Sequence, residues 1–434
     1  MRNFLKKNYK FLILFVFAFL VITFFGYNNT DVIWNYGFSH AIRMGEVPYR
    51  DFNIISTPLY AFLMSIGLFI YDDYIVFVLE QALLCTLLFY LFSKMVPKRT
   101  IVLLFVFSFP VFFAFLPNYN FLVLFLIILL IYLDNNDKDD YLIGFVLGLL
   151  ILSKHTIGGC IFICSIISTF SVNKAIKRFL GTIVPLVVFV VYLLLTKSFY
   201  DFLNLSILGI FDFGSNNNYI STFYLILLCL VIGYLIYLFI SDKKNKNNYY
   251  LLGSISFIIP ICDYFHFNYL LIILIVVVLY KHTGVKYLKE LCITLLVFTL
   301  GLNFFLNVSI FKEIQFTEIN HFKGYLSTKS FNKFLTATDK KYKQEDNNYM
   351  FSFYNMFFDI STDKKITYFD VPLYGNFGYD GINNMKERID KMHDVYFYVS
   401  DDDNVQYAKE IYDYIKNNSE FVETYLGIDI YYKK

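Results

Sequence analysis

The chain has 434 residues, 57% of them hydrophobic, 21% aromatic and only 17% charged, and its mean hydropathy is +0.54. That composition excludes an ordinary soluble globular protein, and a formal net charge of +2 gives no basic excess that would call for a nucleic-acid partner. What remains is a polytopic α-helical membrane protein.

In chain order, the first apolar run covers 10–27 and carries no small-residue cleavage site, so it is expected to stay as an anchor. Past it lies NNTDVIWNYGFSHAIRMGEVPYRDFNIIST (28–57), which concentrates the charge and polarity that the surrounding chain lacks. Further runs near the ~20 residues a helix needs to cross a bilayer core fall at 74–93, 100–116, 119–133, 141–153, 156–171, 179–197, 221–240, 249–263, 267–281 and 288–308. The reading is therefore about eleven transmembrane helices over residues 1–308, with an outer loop at 28–73.

The run 55–71 is apolar enough to be a twelfth crossing, and charge decides against it. If it lies in the outer interface, then Arg2, Lys6, Lys7 and Lys10, the KMVPKR bases, Lys138, the group Lys174, Lys177 and Arg178, the group Lys243, Lys244 and Lys246, and Lys281, Lys286 and Lys289 all face the cytoplasm. Counting it as a span reverses every later loop. The expected topology is an integral cell-membrane protein with a cytoplasmic N-terminus and an extracytoplasmic tail. Asp31, Asp51, Lys154, His155, Asp263 and His266 then share the outer face.

From residue 309 onward the pattern changes, and acids outnumber bases where the preceding chain has the reverse. Helices are expected at 329–342, 380–392 and 401–415, and strands at 349–353, 366–369, 395–399 and within 421–432. Strands alternating with helices imply a small soluble α/β domain over 309–434. The glycines of YGNFGYDG (Gly375, Gly378, Gly381) match no phosphate-loop spacing and read as turn formers. All six cysteines, Cys85, Cys160, Cys164, Cys229, Cys262 and Cys292, sit in apolar runs and encode no disulfide framework; Cys160 and Cys164, one turn apart, read as packing.

Chemistry is sought where charge meets the membrane surface. Asp31 opens the outer loop; Gly45, Pro48, Tyr49, Arg50, Asp51 and Phe52 form G-x-x-P-Y-R-D-F, and Thr57 to Tyr60 read T-P-L-Y. Together with an outer turn bearing Lys154 in GLLILSKHTIGG (148–159), these resemble the bacterial GT-C membrane glycosyltransferases, relatives of the protein O-mannosyltransferases and of the aminoarabinose transferase of lipid A. The likeness covers about 300 residues. It implies inverting transfer of a sugar from a polyprenyl-phosphate donor to a glycan, lipid or protein acceptor on the outer face. The chain departs from the family at the turn PNYN (117–120), which lacks the acidic residue that many members carry there.

The residue types suit such a reaction. Phosphate leaves readily, so the chemistry needs a carboxylate to take the acceptor's proton and cations to hold the departing anion. Asp31 is the expected base, while Arg43, Arg50, Asp51, Lys154, His155, Asp263 and His266 are the expected substrate-binding residues, arginine being suited to bidentate phosphate contact. Each has a plainer reading. Asp31 would then be an interfacial helix cap, Arg50 and Asp51 a structural ion pair, and Lys154 a snorkelling lysine. The Asp263-x-x-His266 spacing leaves a divalent metal open, although no cofactor is established by it. Glu80, inside a span, is either functional or paired with a neighbouring helix. The alternatives to transfer are an O-antigen-type polymerase or ligase, a lipid-linked glycan transporter or flippase, and a structural envelope protein.

Overall fold

A computed structural model describes residues 2–25, 30–95, 118–216, 222–259, 261–281, 315–326, 347–352, 355–362, 364–365, 372–400 and 407–434. Its helices are α1 (Arg2–Phe25), α2 (Thr30–Arg43), α3 (Leu59–Leu68), α4 (Tyr74–Met95), α5 (Tyr119–Asn135), α6 (Asp140–Ser153), α7 (His155–Ile167) and α8 (Val172–Leu195). Then come α9 (Phe199–Phe202), a π turn (Leu203–Leu208), α10 (Gly209–Asn216), α11 (Thr222–Ser241), α12 (Lys246–Ser254) and α13 (Tyr264–Lys281). The tail holds β1 (Gln315–Ile319), β2 (Phe322–Leu326), β3 (Asn348–Phe351), α14 (Asn355–Ser361), α15 (Gly381–Asp390), β4 (Val395–Val399), α16 (Lys409–Asn418), β5 (Glu420–Tyr425) and β6 (Ile428–Lys433).

The protein is thus mostly helical, with a small sheet region near its C-terminus. Among the described residues three helices, α4, α8 and α11, are long and apolar enough to cross a membrane. Helices occupy most of each predicted apolar run that falls within the described residues, but several are short: α6 has 14 residues and α7 has 13. The expected spans at 100–116 and 288–308, and Cys292, lie outside the described residues. Helix α3 has 10 residues, about 15 Å at 1.5 Å per residue, half the thickness of a bilayer core.

The chain divides into two compact units. The first comprises Met1–Ile22, Gln81–Val191 and Tyr219–Val308. Here α6 and α8 cross at glycines: a Cβ on Gly144 would stand 2.1 Å from the Arg178 carbonyl oxygen, so only glycine permits the approach. Beside this crossing Thr182 Oγ1 donates to the Gly144 carbonyl at 3.0 Å. The polar centre of the unit is Arg178, 1% exposed. Its Nη2 and Nη1 donate to the two oxygens of Asp134 at 2.7 and 3.0 Å, its Nε to Asp140 at 2.8 Å and its Nη1 to Ser165 Oγ at 2.8 Å. Tyr250 Oη and Lys246 Nζ also donate to Asp134, each at 2.9 Å. One guanidinium therefore fastens α5, α6 and α7, with α12 joining through Asp134. Sequence places Arg178 among loop cations; its burial follows from acids some forty residues away in the chain. Cys85, Cys160, Cys164, Cys229 and Cys262 are free thiols.

The second unit comprises Thr23–Glu80, Tyr192–Asn218 and Ser309–Lys434. Its four-stranded sheet has the order β3-β4-β6-β5, with β3 and β4 parallel and the other pairs antiparallel. Every residue of α14 is buried. Phe358 joins Met350, Tyr398, Ile428 and Ile430 in the core of the sheet, Phe357 meets the Phe322 ring edge-on at 4.7 Å, and Met356 lies against Gly37 of α2. The tail and the first polar loop therefore share one interior. The expected helix 329–342 and strand 366–369 lie outside the described residues, as do 401–406 at the start of the expected helix 401–415, which is helical from Lys409. Helix α14 and the β1–β2 hairpin carry no sequence expectation.

Candidate functional site

Helix α2 begins where the apolar run ends and buries Val32, Ile33, Trp34, Tyr36, Phe38 and Ala41. It carries Asp31 in its first turn and His40 and Arg43 in its last, the arrangement that the helix dipole favours at each end. Asp31 is partly exposed. Gly45, at a φ of 86°, turns the chain out of the helix.

The P-Y-R-D-F segment is a tied turn. Val47 N–H donates to Asp51 Oδ2 at 2.8 Å while Asp51 N–H donates to the Val47 carbonyl at 2.9 Å, and Tyr49 N–H reaches the Phe52 carbonyl at 3.0 Å. Tyr49 adopts a φ of 73° and is buried, with its hydroxyl donating to the Ser56 carbonyl and its ring edge-on to Phe202. Arg50 grips Asp51 through Nε and Nη2, both at 2.8 Å, and its Nη1 donates to the Thr196 carbonyl at 3.1 Å. The Arg50 hydrogen bonds hold the Asp51 carboxyl below the usual range against the opposing effect of burial, with Val47 N–H assisting. Asp51 is accordingly an ionised structural acceptor. Arg50 is 44% exposed. The π turn pins the same loop: Ser206 Oγ donates to the Ile55 carbonyl at 2.9 Å, and Asn204 Oδ1 accepts from Tyr379 N–H at 3.1 Å.

Arg43 points elsewhere. Its Nε lies 3.4 Å from Asp72 Oδ2; His40 Nδ1 hydrogen-bonds Oδ1 of the same carboxylate at 2.9 Å, and His321 Nδ1 stands 3.3 Å from Oδ2. His321 sits at the tip of the β1–β2 hairpin with a φ of 56°. Burial raises the Asp72 carboxyl, but the His40 hydrogen bond and the charges of His40, His321 and Arg43 outweigh it and hold Asp72 below the ordinary value. None of Asp72, His40 and His321 is among the residues that sequence singles out. The signal was present in YDDY (71–74), two acids directly before an apolar run, as Asp31 lies just after one.

The remaining sequence candidates, Glu80 apart, belong to the first unit. Lys154 is the single residue between α6 and α7; its Nζ donates to Asn120 Oδ1 at 2.9 Å and lies 5.2 Å from the centre of the Tyr119 ring. The acid-free turn therefore engages Lys154 through an amide. Asn118 caps α5 by accepting from Asn120 N–H at 2.9 Å. His155 is the first residue of α7. Asp263 Oδ1 accepts from His266 N–H at 2.9 Å and faces His266 Nδ1 at 2.8 Å, so the Asp-x-x-His pair closes on itself as a helix cap. Glu80 accepts from Gly67 N–H at 2.7 Å, which ties α3 to α4. Among the described residues no three His, Cys, Asp or Glu side chains are placed to hold a metal ion; beside Asp72, Arg43 would repel a cation.

Asp31, Arg43, Arg50 and Asp51 are thus gathered in the second unit, while Lys154, His155, Asp263 and His266 belong to the first. No family model matches the chain, nor does any curated protein or any solved structure.

Proposed function

We propose that the protein is a membrane glycosyltransferase that moves a sugar from a polyprenyl-phosphate donor to a cell-envelope acceptor at the outer face, crossing the membrane about eleven times with its N-terminus in the cytoplasm. The observation that carries this reading is the placement of Asp31 and Arg50 on one compact unit, in the strongly polar segment that follows the first apolar run. Resemblance of that segment to the GT-C transferases adds the reaction type.

Asp31 accepts the proton of the acceptor hydroxyl as its oxygen attacks the anomeric carbon. The bond from that carbon to the phosphate oxygen breaks, and the phosphate departs with the electron pair. The sugar inverts. Arg50 supplies the cation for the departing phosphate, because a guanidinium that is 44% exposed and already oriented by Asp51 meets an anion without first reordering its own side chain. Asp51 does not compete for the role of base, since its charge is already committed to Arg50 and to Val47 N–H.

Replacement of Asp31 by Asn tests the reading. Transfer from a lipid-linked donor in membranes is expected to fall by about 10²- to 10⁴-fold, the usual worth of a positioned general base. Unchanged turnover removes Asp31 from the chemistry.

A further inference from the structure

We propose that Asp72 is a positioning residue for α2, and that it acts as a clasp through which the tail's β1–β2 hairpin holds the helix bearing Asp31. The functional half of this inference rests on the transferase reading; the structural half stands without it.

Asp72 lies in the short link between α3 and α4, with its side chain 7% exposed. A carboxylate so placed needs compensation, and it comes from two elements far apart in sequence. From α2 come His40, 4% exposed, and Arg43; from the hairpin tip comes His321. The His40 and His321 rings stand 5.2 Å apart with the one acid in reach of both. Backbone contacts repeat the connection. His321 Nδ1 lies 3.0 Å from the Asp72 carbonyl, Tyr74 N–H donates to the His321 carbonyl at 3.1 Å, and the hydroxyl of Tyr36, a fully buried residue of α2, donates to the same carbonyl. The hairpin tip thus touches both α2 and the start of α4 through one residue. Asp73, Lys323 and Glu318 lie around it, with Lys323 and Glu318 paired to each other at 2.8 Å.

The tie falls at the C-terminal end of α2, and Asp31 rides at the other end of the same fourteen-residue rod. A helix is stiff over that length, so loosening the clasp tilts the first turn, and an error of about 1 Å at a reacting group costs on the order of 10²-fold in rate.

Two substitutions at one position separate the clasp from the turn that carries it. Both Gly and Asn tolerate the left-handed backbone of His321, but only Asn keeps a donor in the place of Nδ1. In the full-length protein in lipid nanodiscs, His321→Gly is expected to raise amide hydrogen exchange about tenfold across residues 32–43 as well as in the hairpin, and His321→Asn to leave both near wild type. Asp72→Asn should loosen the same two segments. Transfer by His321→Gly should show a lower kcat with the donor KM unchanged within about twofold, and Asn should restore it. Unaltered exchange in α2 with His321→Gly and with Asp72→Asn overturns the clasp; looser exchange with an unchanged kcat overturns positioning. Asp31→Asn serves as the control: full transfer by that variant defeats the transferase reading, while the exchange results still decide the clasp.

Discussion

Asp359 shows how much burial alone can do to a single carboxyl. It lies on α14, 4% exposed, and burial pushes its carboxyl well above the ordinary value, with Glu46 adding to the rise and Lys364 opposing it. Asp51 and Asp72 sit in the same unit with the opposite displacement, because cations face them. The consequences for stability therefore have opposite signs. For Asp51 and Asp72 the folded value is depressed, so their contribution is complete above about pH 5 and is lost as pH falls through the folded values. For Asp359 the folded value is raised; the cost of ionising it is absent below about pH 4 and grows as pH rises towards that value. The difference between wild type and Asp359→Asn, taken at pH 5 and at pH 8, isolates Asp359 from the other groups that titrate in that interval. Thermal unfolding of the full chain in detergent should show wild type losing stability relative to Asp359→Asn over that interval, with the variant at least as stable at pH 8. A wild type that gains on the variant instead would show that the carboxylate, not the acid, is the form held in the fold.

Among the elements, those that sequence reveals have an edge to read. Strand β4 coincides with the expected 395–399 because V-Y-F-Y-V is a short apolar run bounded by polar residues. The turn at Gly375 and Gly378, both at a φ of 82°, needs glycine for its backbone sign and, at Gly375, for the approach of Phe213, whose Cα a Cβ would meet at 2.6 Å. Helix α14 escapes notice for the reason that makes it central: with every face buried, NMFFDIS has no polar stripe and no period. The α6–α8 crossing is legible only in part, as Gly144-x-x-x-Gly148 without its partner. Its energetics can be tested directly. A methyl on Gly144 meets a backbone oxygen that no rotamer can move, so Gly144→Ala should destabilise the first unit by about 1–3 kcal/mol, the range for overpacking. Unfolding by SDS titration measures this, and Gly159→Ala, where a methyl meets open space, is expected to lie within about 0.5 kcal/mol of wild type. Equal effects at the two positions would mean that the crossing is not close-packed.

For the whole molecule, composition draws one line, at residue 308, and compactness keeps that line but joins Thr23–Glu80 and Tyr192–Asn218 to the tail. Charge and periodicity of the sequence change at Ser309, and those are properties that a local window detects. Which segments share an interior is a long-range property. The tail's α14 rests on Gly37 of α2, its hairpin on Asp72, and its Tyr379 loop on the π turn at Asn204. A tail cut free at 309 would therefore expose the α2-facing side of a helix that is buried all round, together with Phe322, which is 1% exposed. Each large apolar side chain returned to water costs about 1.5–3 kcal/mol, against a total of about 5–15 kcal/mol for a typical domain. The fragment 309–434 expressed alone should accordingly lack a cooperative thermal transition and show poor amide dispersion by NMR. The chain truncated after Val308 should lose protection in α2, and on the transferase reading sugar transfer falls with it. A fragment that unfolds cooperatively would show that the tail's own sheet suffices, and that its contacts with α2 are secondary to its stability.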